Sequence, residues 1–217
     1  AEANVRWVMD HTQFLTFKWY YYDSERGLPS ATVFYNLNSS QRLWNRNTFG
    51  QLSYNHHFTK WTYLVNTKFN YDFTHYLDPD YLNAVGFLDN QYRQYEGYLS
   101  NTLRFMPFEG DTGRYKNLSF AISNDVIFNQ LNANTLISAH PQRLSSLTAL
   151  AFLYKINKLT INGDVLFTTV FNHADTEKSQ YLHLSPTIGI AYDFTNFLKF
   201  RAFYKNIFRM PTFNDLY

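Results

Sequence analysis

The sequence predicts an all-β protein, and more specifically an antiparallel up-and-down transmembrane β-barrel. Three observations support this prediction: apolar and polar residues alternate, the alternating stretches are long, and the connections between them differ in length. The 217 residues are also 20% aromatic and include no cysteine. This aromatic content excludes a disordered chain, because disordered chains have few aromatic residues.

The clearest alternation lies in residues 61–75. Polar residues such as Lys68 and Asp72 fall on one face, and the other face carries Trp61, Tyr63, Val65, Thr67, Phe69, Tyr71 and Phe73. The same pattern recurs at 159–172 and 182–194. Successive side chains of a strand point to opposite faces, so each stretch is predicted to be a strand with one apolar face.

Weaker copies of the pattern predict further strands at 14–22, 43–58, 93–106, 118–129, 143–154 and 198–208. This makes about nine strands of about 10–14 residues, whereas strands of soluble proteins most often have about 5–6. A tilted strand needs about 9–11 residues to cross a bilayer. We therefore expect the apolar faces, with Phe69, Phe167 and Ile188, to contact lipid.

The connections between these strands are predicted to be of two kinds. Tight turns are expected at 59–60, 155–158 and 195–197, an intermediate connection at 107–117, and longer loops at 23–40, 76–91, 130–141 and 172–179. Outer-membrane barrels combine short periplasmic turns with long extracellular loops. Aromatic residues near the tight turns resemble the aromatic girdle at a membrane–water boundary; they are Phe58, Trp61, Phe105, Phe108, Tyr154, Phe194 and Phe197.

Composition excludes several other classes of protein. The absence of cysteine excludes a disulfide scaffold, and a net charge of +2 does not indicate nucleic-acid binding. The sequence contains no apolar run of about 18 residues, which is the length that would predict a transmembrane helix. The first ten residues lack a signal-peptide pattern, so we expect a mature chain or a piece of a longer one. A soluble all-β carbohydrate-binding module is an alternative, and a passive porin is a further one.

The sequence contains no motif that indicates catalysis. None of the seven histidines forms a spaced ligand set, and the adjacent His56 and His57 are predicted to lie on opposite faces of a strand. Ser185 and His183 lie two residues apart on one face, which a polar lumen explains better than a catalytic site does. We predict no enzyme activity, no metal site and no cofactor.

The segment 76–83 is the most informative loop. Its candidate ligand-binding residues are Tyr76, Asp78, Asp80 and Tyr81. The two carboxylates and the flanking tyrosines could bind Ca²⁺ through oxygen, or bind a ligand by hydrogen bonds and stacking. The alternative, which we favour, is a turn in which Pro79 sets φ and an aspartate bonds to the backbone.

Charged residues on the polar faces are predicted to point into a lumen. They are Lys68, Arg104, Asp125, Asp164, Asp193, Lys199 and Arg201. Charges in a lumen can line a permeation path, or they can neutralise one another and contact a plug. We favour mutual neutralisation and plug contact.

The C-terminal residues 208–217 read F-R-M-P-T-F-N-D-L-Y. This resembles the F-R-x-P-T-F-N-E-L-Y segment within the barrels of TonB-dependent outer-membrane receptors, with Asp215 in place of Glu. The stretch 22–29, Y-D-S-E-R-G-L-P, also resembles receptors of this family from Bacteroidetes-type bacteria. We interpret the motif residues as structural; they are Phe208, Arg209, Pro211, Thr212, Asn214 and Tyr217.

The resemblance implies that residues 1–217 are part of a single β-barrel domain, about nine of about 22 strands, without the plug domain. It implies TonB-energised uptake of a scarce solute across a Gram-negative outer membrane. Siderophore, haem, cobalamin and glycan are the candidate solutes, with cobalamin our first choice. The implied partners are the lipid bilayer, the missing plug and strands, the TonB complex acting through the plug, and a surface lipoprotein, with no nucleic acid. The two open sheet edges imply that the isolated piece aggregates, closes in a non-native way, or belongs to a larger structure whose other parts are absent from this sequence.

Overall fold

The computed structural model describes residues 1–29, 39–81, 83–135, 140–174 and 177–209. All regular structure in these ranges is β-strand. None of the described residues forms a helix long and apolar enough to cross a membrane. The all-β prediction is therefore confirmed for the described chain.

Ten strands form one antiparallel sheet, and their order in the sheet is their order in the chain. This is the predicted up-and-down arrangement. Neighbouring strands pair along most of their lengths; β4 and β5, for example, pair from Trp61 opposite Phe105 to Asp78 opposite Leu88. The strands are β1 Glu2–Val8, β2 Gln13–Gly27, β3 Arg42–His57, β4 Trp61–Asp78, β5 Leu88–Phe105, β6 Leu118–Ala133, β7 Gln142–Ile156, β8 Leu159–Ala174, β9 Glu177–Asp193 and β10 Lys199–Lys205.

The register divides the sheet into two faces, because directly paired residues project to the same side. We call one the apolar face; it carries Val5, Phe17, Leu52, Phe69, Leu99, Ile122, Leu150, Phe167, Ile188 and Phe200. The other is the polar face. The alternation predicted for 61–75, 159–172 and 182–194 is confirmed, since the apolar residues of all three stretches share the apolar face.

The sheet has one strand more than the alternation predicts, because Glu2–Val8 pairs with β2. This strand has only 7 residues, too few for a period of two to stand out. The hairpin turn depends on Asp10, whose Oδ1 accepts hydrogen bonds from the Thr12 and Gln13 amides at 2.6 and 2.9 Å. The Thr12 hydroxyl and amide bonds lower the pKa of the Asp10 carboxyl.

The predicted tight turns are confirmed at 58–60, 157–158 and 194–198, and a longer connection is confirmed at 106–117. The predicted long loop at 172–179 is wrong: β8 runs to Ala174 and β9 starts at Glu177. The predicted loops at 23–40, 76–91 and 130–141 are shorter than expected, because the flanking strands extend into them. At the strand ends away from the tight turns, both faces of the sheet carry polar residues. The sequence alternation therefore disappears there, although the backbone pairing continues.

Candidate functional site: two faces of opposite polarity

In a soluble protein apolar side chains are buried and polar side chains are exposed, and the two faces of this sheet show the reverse. Among the described residues, the buried apolar side chains are few and small: Ala133, Pro141, Val170 and Ala174. Large apolar side chains are exposed instead: Phe69 is 58% exposed and Ile188 50%. The buried polar residues all lie on the polar face; they are Asn70, Asp78, Ser100, Ser119, Arg143, Ser145, Thr168, Asn172 and Ser185.

Charged side chains bound the apolar face at the end away from the tight turns. Asp23 and Arg46 form an ion pair there, with the Arg46 Nη2 nitrogen 2.8 Å from Asp23 Oδ2. On the neighbouring pair of strands, His75 Nε2 lies 2.9 Å from Asp89 Oδ1. All four residues follow the register of the apolar face. The apolar surface is therefore a band that stops before the strands end.

Aromatic rings bound the same band at its tight-turn end. Trp61 and Phe105 stack with ring centroids 4.0 Å apart, and Tyr192 meets Phe194 edge to face at 4.7 Å. The remaining predicted girdle residues lie in or beside the connections at this end; they are Phe58, Phe108, Tyr154 and Phe197. The predicted collection of aromatic residues at the tight turns is confirmed.

Several polar groups inside the apolar band bond to one another. The Tyr63 hydroxyl donates to Asn101 Oδ1 at 3.1 Å. The Asn124 Nδ2 donates to Thr148 Oγ1 at 2.8 Å and to Ser146 Oγ at 3.2 Å. A polar group that lacks water must bond within the protein to avoid a large desolvation cost. These contacts let amide and hydroxyl groups remain on an otherwise apolar surface.

The polar face holds paired charges and amide networks. Lys18 pairs with Glu2 at 2.8 Å and Lys68 with Glu96 at 3.5 Å. The Lys68 ammonium also lies 5.2 Å from the ring centroid of Phe49. The prediction that Lys68, Arg104, Asp125, Asp164, Asp193, Lys199 and Arg201 share this face is confirmed by the register. Two of these seven, Asp193 and Lys199, also pair with each other at 3.7 Å.

The candidate residues Tyr76, Asp78, Asp80 and Tyr81 lie at the far end of β4, and the structure gives the two aspartates different surroundings. Asp78 is buried, and its Oδ2 accepts from Gln41 Nε2 at 2.9 Å and from the Tyr76 hydroxyl at 3.4 Å. Its Oδ1 accepts from the Asp80 amide at 3.1 Å. Asp80 and Tyr81 are exposed. Asp78 thus makes the contacts expected of a turn, and Gln41 is a partner that the sequence did not indicate.

The C-terminal motif lies only partly within the described residues. Phe208 stacks on His183 of the polar face, with ring centroids 4.5 Å apart. The structural role proposed for Arg209 stays a prediction. Pro211, Thr212, Asn214 and Tyr217 lie outside the described residues.

The histidines are placed as the alternation predicts. His56 pairs across from Tyr63 and His57 from Thr62, so the two rings lie on opposite faces. His183 and Ser185 share the polar face. Among the described residues no group of three or more His, Asp or Glu is placed to hold a metal ion.

The sheet has the fold of a segment of an outer-membrane receptor barrel. The alcaligin outer-membrane receptor FauA from Bordetella pertussis matches 90% of this chain over 32% of its own, with a TM-score of 0.61 and 13% identity. The ferric citrate transporter FecA, in its unliganded form, matches 93% of this chain over 34% of its own, with a TM-score of 0.63 and 12% identity. The FrpB iron transporter from Neisseria meningitidis covers 94% of this chain and 43% of its own at a TM-score of 0.44 and 10% identity.

The chain spans about a third of the length of the solved receptors FauA and FecA. No protein-family model matches it, and no curated protein does. At identities of 12–13% the likeness concerns the fold. The transmembrane-barrel fold class predicted from the alternation is thereby confirmed.

Proposed function

We propose that this chain is part of the β-barrel of a TonB-dependent receptor in a Gram-negative outer membrane. The observation that carries the proposal is the inverted polarity of the sheet, whose apolar face is exposed and whose polar face holds the buried polar residues. Contiguous exposed apolar patches on soluble monomers rarely exceed a few hundred Å². An apolar band that crosses all ten strands requires a lipid environment instead.

The receptor family is supported by two independent features. The fold resembles segments of the FauA and FecA barrels, and residues 208–217 resemble a segment of TonB-dependent receptors. In a complete receptor the polar face would line the lumen, where its paired charges suit contact with a plug domain. The partners of that receptor would be the lipid bilayer, the plug and the remaining strands, and the TonB complex acting through the plug. A surface lipoprotein is a further candidate partner.

The solute is proposed at the level of a class, a scarce nutrient such as a siderophore, haem, cobalamin or a glycan. The two receptors with similar folds are described as an alcaligin receptor and a ferric citrate transporter. This favours testing an iron chelate before cobalamin, the solute that we preferred from the sequence. Both solutes would be compared for binding to the complete receptor. We propose no enzymatic step and no cofactor.

Two matched lysine variants in β9 test the membrane assignment. Ile188 lies on the apolar face and Thr187, its neighbour, on the polar face. Lysine at the bilayer midplane on a lipid-facing site costs about 2–4 kcal/mol, whereas lumen positions tolerate charge. Ile188→Lys is expected to lower the fraction of protein recovered with floated phospholipid vesicles after folding from urea, and Thr187→Lys is expected to leave that fraction unchanged.

The same experiment separates the proposal from the soluble carbohydrate-binding module. A soluble module would stay in the aqueous fraction in its native sequence, and Ile188→Lys would leave its folding unaffected because the side chain is exposed. Recovery of the native chain in buffer as a folded monomer would overturn the membrane assignment.

A further inference from the structure

Pro186 lies inside β9, at the point where the pairing with β10 ends. Successive backbone amides of a strand point alternately to its two neighbouring strands. The Asp193 amide donates to the Lys158 carbonyl, at the start of β8, at 2.9 Å, so odd-numbered residues of β9 bond toward β8 and even-numbered residues toward β10. Proline has no N–H. The donor that is missing at position 186 therefore belongs to the β10 side, and the pairing with β8 loses nothing.

Among the described residues, the last hydrogen bond between β9 and β10 is made to this proline. Lys205 and Thr187 are the last directly paired residues, and the Asn206 amide then donates to the Pro186 carbonyl at 3.1 Å. In an antiparallel ladder the reciprocal bond would run from the amide of residue 186 to the Asn206 carbonyl. Proline cannot donate that bond, and its ring occupies the place of the hydrogen. The pairing therefore stops at Asn206.

Phe208, two residues further along the chain, lies on the opposite face from the one that a continued strand would give it. Continuation of the register would pair Phe208 with Leu184 on the apolar face. The ring of Phe208 instead stacks on His183 of the polar face, with centroids 4.5 Å apart and planes 24° apart. The chain has therefore turned from the sheet onto the polar face between Asn206 and Phe208.

Burial indicates that Phe208 holds this turn in place. Every residue of β10 is exposed and Ile207 is 74% exposed, whereas Phe208 is half-buried. His183 Nε2 is buried as well, so this part of the polar face excludes water. An aromatic pair contributes to stability beyond the apolar area that it buries. The stack with His183 thus fixes the position of the chain after the ladder has ended.

The departure of the chain leaves the next residues of β9 without a strand on that side. Leu184 and Leu182 have even numbers, so their amides point away from β8. The pairing between β9 and β10 covers only Thr187 to Asp193, and no described residue beyond Asn206 pairs with Leu184 or Leu182. The Leu184 amide is therefore a sensitive reporter of whether the ladder continues.

We propose that Pro186 directs the chain out of the barrel wall, and that Phe208 is thereby a residue of the lumen surface, held there by His183. The segment that resembles the receptor motif begins at Phe208. Its first side chain then belongs to the inner surface of the receptor and not to the surface that faces lipid. This inference rests on the proposed function, because the polar face lines a lumen only in a membrane barrel.

Two pairs of cysteines distinguish the turned chain from a continued strand. The chain has no cysteine of its own. His183→Cys with Phe208→Cys places thiols at the stacked positions, and Leu184→Cys with Phe208→Cys places them where a continued strand would pair. Each variant is folded in detergent micelles and treated with a short bis-methanethiosulfonate cross-linker, and the remaining thiols are counted by mass after maleimide labelling. We expect the first pair to cross-link and the second to keep both thiols.

Pro186→Val restores the missing donor and keeps an apolar side chain on the apolar face. In this background we expect the preference to reverse, because the Asn206 carbonyl gains its partner and the pairing continues to Phe208. Thr187→Val is the matched control. Its amide bonds toward β8 and no donor to β10 is gained, so the cross-linking is expected to stay as in the native background.

Amide hydrogen exchange tests the same point in the native sequence, so the proposal does not depend on the folding of any variant. The Ile188 amide faces Tyr204 in the ladder, whereas the Leu184 amide faces no described strand. The net contribution of one hydrogen bond corresponds to about a tenfold change in an equilibrium. We therefore expect the Leu184 amide to exchange about tenfold faster than the Ile188 amide, and Pro186→Val to remove the difference.

The outcomes separate this proposal from the proposed function. Cross-linking of the Leu184→Cys pair in the native background, or a Leu184 amide as protected as that of Ile188, would overturn the turn onto the polar face and leave the membrane assignment intact. An unchanged preference in Pro186→Val would overturn the role of the proline. Failure to recover the native chain with floated phospholipid vesicles would overturn the lumen assignment together with the proposed function, even where the His183→Cys pair cross-links.

Discussion

At the scale of single residues, Asp78 and Asp80 have similar chemistry and different roles. Asp78 is buried and accepts hydrogen bonds from Gln41, Tyr76 and the Asp80 amide. Asp80 is exposed, and its amide serves the turn. The contacts favour the turn over a calcium site, since a carboxylate already bonded to three protein donors has little capacity left for a cation.

Alanine at these two positions distinguishes the turn from a cation site. Asp78→Ala leaves the half-buried donors of Gln41 and Tyr76 without an acceptor, so we expect the free energy of unfolding to fall by about 1–3 kcal/mol. Asp80→Ala is the control and is expected to unfold at the same urea concentration as the native chain. Both are measured in detergent micelles with and without Ca²⁺. A Ca²⁺-dependent stabilisation of the native chain that Asp80→Ala removes would contradict the turn.

At the scale of the strands, pairing continues past the apolar band by means of polar side chains. Arg143 Nε donates to Asn172 Oδ1 at 2.7 Å, and Asn172 Nδ2 donates to Ser179 Oγ at 3.0 Å. These bonds join β7, β8 and β9 across the polar face at the end away from the tight turns. They explain why β8 and β9 extend through residues predicted to form a loop.

Removal of the central amide tests this ladder. Asn172→Ala takes away the acceptor of the Arg143 Nε donor, and a hydrogen bond to a charged group contributes about 1.5–3 kcal/mol. We expect a loss of stability of that order, measured by urea unfolding in micelles, and faster amide hydrogen exchange at the β8–β9 end. His173→Ala, on the exposed opposite face, is the control. Equal effects of the two variants would show that the ladder does not hold the strands together.

At the scale of the whole molecule, the exposed apolar band and the two sheet edges determine how the chain behaves in solution. In the described structure β1 pairs with β2 alone and β10 with β9 alone, and both edge strands are exposed throughout. Unpaired strand edges bind further strands, whether from the same barrel or from another copy. The band in turn requires lipid or detergent.

Detergent dependence follows from both features. We expect the purified chain to give a strand signal in far-UV circular dichroism and to remain soluble only with detergent, and to aggregate when detergent is removed because its apolar face and edges then associate. Size-exclusion chromatography with and without detergent measures this. A monodisperse, folded monomer in plain buffer would contradict the assignment of Phe69 and its neighbours to a lipid-facing surface. It would also contradict the expected association of the unpaired strand edges.

The sequence alone determined which residues of β4, β8 and β9 share a face, because that alternation depends only on the local geometry of a strand. It also determined that the predicted lumen charges, Lys68 and Asp193 among them, share the polar face of the sheet. Only the tertiary structure decided that Glu2–Val8 is a strand, that β8 extends to Ala174 and β9 begins at Glu177, and that Gln41 bonds to Asp78. These features depend on register between segments far apart in the chain, which a local period cannot specify.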